Sequence, residues 1–211
     1  MKFPQGLSAR IAVAAVGGLL LAGGASAAIA DELDTGDVDV TVDIESTDDG
    51  ALTLTVDGTS TSLAEVVSGD PTIRQFDGQL PEVTVSDTRD PDSIPDGSFW
   101  SVYGQATDFV GQEGQPDIPA GNLGWTPEVI GEYEFITEGD PIGTVLDDGP
   151  EASVGLVEGE LLYSAFTSED AVNEGNNAWS ATAGLTLKTG ADVAPGAYAS
   201  VLTISLFEDI G

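Results

Sequence analysis

The sequence predicts an all-β fold, an antiparallel β-sandwich of Greek-key or Ig-like type. Three observations predict it: apolar residues recur at every second position in several short runs, turn residues punctuate the chain at short intervals, and no stretch keeps a helical period. A barrel or jelly roll is the runner-up, since the same strands would serve either. One sandwich domain is expected over residues 31–211, without a helix of more than two or three turns.

The clearest pattern closes the chain. Trp179, Ala181, Ala183, Leu185 and Leu187 alternate with Ser180, Thr182, Gly184, Thr186 and Lys188, which suits a strand with one buried face. Tyr198, Leu202, Ile204 and Leu206 repeat the spacing after Gly190 and Pro195-Gly196. The short connection predicts that the two strands of Trp179 to Asp209 pair with each other as an antiparallel unit.

At the other end, Lys2 and Arg10 precede the apolar run Ile11–Ala22 and the small residues up to Ala30. That order is a secretory signal peptide over residues 1–30, with cleavage expected after Ala27 or Ala30. Its apolar run is too short for a spanning helix, and no later stretch approaches the length that one needs. The protein is therefore expected to be secreted, with no membrane span in the mature chain.

Val38, Val40, Val42 and Ile44 alternate with Asp37, Asp39, Thr41, Asp43 and Glu45, predicting a strand with a solvated carboxylate row. A turn at Thr47–Gly50 leads to a strand at Leu52, Leu54 and Val56, and Leu63–Val67 is a third short strand or a helical turn. Val83 and Val85 mark another strand. Ser86–Gly97 reads as a loop, because two prolines and four aspartates within it oppose both helix and ladder. Those aspartates, Asp87, Asp90, Asp92 and Asp96, are the candidate Ca2+ ligands, although their spacing is not that of the twelve-residue calcium loop. No other cofactor is suggested.

Phe99–Tyr103 with Phe109 carries the densest aromatics, and Leu123–Ile130 resumes an extended pattern around Trp125. Ala152–Val157 and Leu161–Phe166 are further expected strands, and Asn173–Asn177 is an expected loop. Exposed rings would stack on sugars, whereas buried ones would fill the sandwich. Trp100, Val102 and Trp125 are taken as the candidate ligand-binding residues, and Trp179 and Tyr198 as core.

The chain has 37 acidic against five basic residues, no histidine and no cysteine. Nucleic acid is excluded as a partner, because a surface without cationic patches only repels a duplex. Missing histidine and cysteine rule out Ser-His-Asp, Cys-His, zinc and haem constellations. A carboxylate pair acting as a glycoside hydrolase is the one remaining catalytic route, and nothing singles out a pair; a non-catalytic protein is expected.

Ser98–Asp209 resembles the WxL domain of Gram-positive surface proteins. The resemblance rests on Phe99-Trp100-Ser101-Val102, on Ile118-Pro119-Ala120-Gly121-Asn122-Leu123, on Asn176-Asn177-Ala178-Trp179 with Leu185-Thr186-Leu187, and on Pro195–Thr203 leading to Ile204-Ser205-Leu206. Neither Trp100-Ser101-Val102 nor Ile204-Ser205-Leu206 is a literal W-x-L. The resemblance implies a secreted protein of the cell surface that associates noncovalently with cell-wall peptidoglycan or with other surface proteins. The alternative is a structural subunit of a surface filament or layer that assembles by strand addition, with Val38–Ile44 as the donor strand.

Overall fold

The computed structural model describes residues 50–148 and 154–211. The signal-peptide reading and the Val38–Ile44 strand fall outside these residues. In chain order the strands are β1 (Leu52–Val56), β2 (Ala64–Val66), β3 (Ile73–Gln79), β4 (Val83–Asp87), β5 (Ser98–Ala106), β6 (Val110–Gly111), β7 (Leu123–Ile130), β8 (Ile136–Glu138), β9 (Glu160–Ala165), β10 (Ala178–Gly190), β11 (Tyr198–Ala199) and β12 (Leu202–Ile210). One short helix, α1 (Ser168–Asn173), lies between β9 and β10. Among the described residues every pairing is antiparallel, the sheets remain open, and the expected sandwich rather than a barrel is found.

β10 is the spine of the first sheet. Its thirteen residues alternate as expected, with Trp179, Ala181, Ala183, Leu185 and Leu187 buried and the intervening polar residues half-buried. One edge of β10 carries β7 along Ser180–Leu187. The other edge carries β4 at Ala178–Ala181 and β3 at Gly184–Gly190. β3 and β4 thus form one interrupted strand with a one-residue shift in register between them. Pro81 sits in the break, where its missing N–H costs no ladder bond, and Leu80 N–H bonds to Ala183 O at 2.9 Å to hold the join. β1 flanks β4, and β2 flanks β3.

The second sheet runs in the order β12-β5-β9-β8. β6 and β11 make a separate two-stranded patch. This arrangement corrects the expected pairing within Trp179–Asp209: β12 pairs with β5 in the second sheet, and β10 never meets it edge to edge. The reason is that both edges of β10 are already taken by strands from earlier in the chain. The connection after Gly190 therefore carries the chain across to the other sheet. Two smaller corrections follow. Residues 154–157 form a turn rather than the end of an Ala152–Val157 strand, and α1 takes the start of the expected Asn173–Asn177 loop.

Trp100, Tyr163 and Trp179 fill the interior at one end. Trp100 from β5 packs edge-on to Tyr163 from β9, with ring centroids 5.2 Å apart, and lies 5.7 Å from Trp179 of β10. All three are fully buried. Trp125 from β7 reaches the backbone of β5 at Gly104, where an added Cβ would stand 2.5 Å from the indole ring; only glycine admits that approach.

Candidate functional site

Trp100 and Val102 are fully buried and Trp125 is 2% exposed, so none of the three presents a face to a sugar. Their assignment as ligand-binding residues is corrected to core. The alternation of β5 sends Trp100, Val102 and Gly104 inward together, and the density of apolar partners decides their fate. The two W-x-L-like triplets lie on adjacent strands, with Leu206 opposite Val102 in the ladder.

Two of the four aspartates, Asp87 and Asp90, are engaged in bonds of their own. Asp87 ends β4 and is fully buried, where it accepts bonds from Arg89 Nε at 2.8 Å, Nη2 at 2.6 Å and the Arg89 backbone N–H at 3.1 Å. Arg89 also donates to Glu208 of β12 at 2.7 and 3.0 Å, so one guanidinium ties the two sheets. These carboxylates push the Arg89 pKa up, with Asp87 contributing most. Asp90 caps a 3-10 turn at Pro91–Ser93 by accepting the Asp92 N–H at 3.0 Å, while Asp92 and Asp96 face solvent. Among the described residues no three acids gather into a metal-holding group.

What the structure does present is a cleft of about 900 Å3 at the end of the sandwich away from Trp100 and Trp179. Leu80, Ile118, Leu123, Leu185, Leu187 and Thr189 form its buried floor. Phe76 from β3, Leu202 and Ile204 from β12, Phe109, Leu63 and Tyr198 wall it and are half-buried. Aliphatic residues of β10 here replace the indoles that fill the other end, and leave the two sheets incompletely packed.

Two arms frame the opening. Residues 58–63 are rich in Ser and Thr and are tied to β3 by Thr61 Oγ1 donating to Gln79 O at 2.8 Å. Residues 193–201 are held by Tyr198 Oη donating to Ala194 O at 2.8 Å and Gln115 Nε2 donating to Pro195 O at 3.2 Å.

The electrostatics of the cleft set it apart. Of the described residues that line it, none is acidic, although the chain has 37 acids. Its one charged group is Arg74, bidentate to Glu65 at 2.8 and 2.9 Å, with its guanidinium 5.3 Å from the Phe76 ring. The hydrogen bonds to Arg74 hold the Glu65 carboxyl below its usual range. A wall of leucine, isoleucine and phenylalanine with a hydroxyl rim can hold an apolar row and satisfy polar backbone, but supplies no acid or base pair for hydrolysis.

No single motif would have revealed this cleft. The signal available is negative: residues 58–64, 175–191 and 193–207 are acid-free runs in an acid-rich chain, and most of the lining comes from them.

No protein-family model matches the chain, and no curated protein matches its sequence. The likeness to WxL domains therefore stands on the residues quoted for it alone.

Proposed function

We propose that the protein is an exported, non-catalytic surface protein whose cleft holds an extended polypeptide segment of a partner in a surface complex. The observation that carries this reading is the acid-free, apolar lining of an open cleft in a chain of net charge −32. On a surface so acidic, solvation alone would place carboxylates at any opening; an apolar one demands an apolar occupant.

An extended segment suits it best. Among the described residues β12 is an edge strand of the second sheet, and it lends Leu202 and Ile204 to the cleft. A strand laid there gains main-chain bonds along the edge while every second side chain enters the apolar space. Attachment to peptidoglycan by stacking on Trp100 or Trp125 has no support, because those rings are covered.

The test uses two neutral nine-residue peptides of the same composition. One has valine at alternate positions with serine or threonine between, and the other has the valines at helical spacing. Fluorescence anisotropy should show the alternating peptide binding at least about tenfold more tightly. Equal binding, or none, would remove the reading.

A further inference from the structure

We infer that the segment the cleft receives carries a lysine or arginine beside its apolar row, and that this cation is held between Asp57 and Glu82 at the lip. The inference rests on the strand-binding reading and names the chemistry of the partner.

The two acids belong to the opening by position. Asp57 stands between Val56 and Gly58, and Glu82 follows Pro81; Val56, Gly58 and Pro81 all line the cleft. Asp57 and Glu82 themselves line a depression of about 310 Å3, together with Thr55, Val56 and Thr84. Val56 is common to both, so the acidic depression adjoins the neutral cleft across one side chain.

Their own pairing is unfavourable. Thr55 faces Thr84 and Val56 faces Val83 in the β1–β4 register, and Asp57 N–H bonds to Glu82 O at 2.8 Å, which carries the ladder one residue further. Asp57 and Glu82 are thus cross-strand neighbours, both exposed, and like charges so placed repel. The described basic residues are engaged elsewhere: Arg74 with Glu65, Arg89 with Asp87 and Glu208, and Lys188 with Asp147. A partner with a basic residue next to its apolar row brings the charge that the lip lacks. The neutral cleft takes the apolar row, while the flexible stem of the lysine or arginine passes Val56 and places its head at the two carboxylates.

The experiment uses the purified protein, with the neutral alternating peptide as reference and two derivatives of it that carry a pair of lysines at the amino or the carboxyl end. At low salt one derivative should bind about fivefold more tightly than the reference. That advantage should disappear in the Asp57→Asn/Glu82→Gln variant, which should bind the reference peptide as the wild type does and, with the repulsion removed, should unfold at no lower temperature. No gain from lysines at either end would overturn the inference. So would a gain that survives the double substitution, because it would then come from the overall negative charge rather than from the lip. In both cases binding of the reference peptide leaves the strand-binding reading standing. If no peptide binds, both fall.

Discussion

The hydroxyl of Tyr163 sits 3.0 Å from the carbonyl oxygen of Trp179, so that a side chain of the second sheet is inserted into the backbone ladder of the first. The Tyr163 hydroxyl oxygen accepts the Val85 N–H at 2.9 Å and lies 3.1 Å from Val83 O, a second acceptor for its one proton. Val85 and Trp179 face each other in the β4–β10 register. The phenol thus bridges two strands while its ring packs on Trp100, and burial pushes its pKa up.

Tyr163→Phe should therefore cost more than one neutral hydrogen bond. It leaves the buried Val85 N–H without a partner, for a loss of about 1–3 kcal/mol. Urea denaturation followed by tryptophan fluorescence would measure it. A loss near zero would mean that β4 and β10 close their own ladder once the hydroxyl is gone.

Trp100→Ala and Trp125→Ala should each cost about 3–5 kcal/mol, the range for emptying a buried aromatic site. Trp100→Phe, which keeps a ring in the core, should leave any co-sedimentation with purified peptidoglycan at the wild-type level. A folded Trp100→Phe protein that lost such binding would return the ring to the contact surface.

Arg89→Met should destabilise by about 3–5 kcal/mol, because it strands the Asp87 carboxylate in the interior. Adding Asp87→Asn should recover a good part of that loss. Thermal unfolding of the two variants makes the comparison. No recovery would mean that the link to Glu208, rather than the stranded charge, dominates.

Asp147 pairs with Lys188 and accepts the Thr144 N–H at 2.7 Å and its hydroxyl at 2.9 Å. Burial alone would raise its pKa, but Lys188 and Thr144 outweigh burial and hold it below the ordinary 3.8. The folded carboxylate thus binds a proton more weakly than the unfolded one, so its contribution is whole above 3.8 and is lost as pH falls through the folded value. Asp147→Asn should cost about 1–2 kcal/mol near neutrality, and the gap from wild type should close as pH drops below about 4. Denaturant midpoints at pH 7 and pH 3 would show it; an unchanged gap would contradict the ion pair.

β10, with one clean apolar face, was legible residue by residue, whereas β5 and β7 were legible as strands but not in the face their tryptophans present. Their pairing was not legible. β3, with the sequence Ile73-Arg74-Gln75-Phe76-Asp77-Gly78-Gln79, is half-buried along nearly its whole length and has no alternation to betray it, yet it takes the edge of β10 that a hairpin would have needed. The tryptophans were visible as mass but not as direction, since facing depends on what the opposite sheet supplies. Asp87 looked like one of four loop acids because its burial is set by the surrounding fold: its partner Arg89 lies only two residues away, but reaches on to Glu208 across 119 residues.

The late position of β10 governs the order in which this molecule can acquire structure. Thr186 meets Asp77 across 109 residues, and Gln79 meets Thr182 across 103. Until residues 178–190 are available, β3, β4 and β7 have no common neighbour, so the first sheet cannot close on a growing chain. Such nonlocal wiring belongs to domains that fold in milliseconds to seconds rather than microseconds. A polypeptide of this kind lacks the common neighbour of three of its strands for almost the whole of its synthesis.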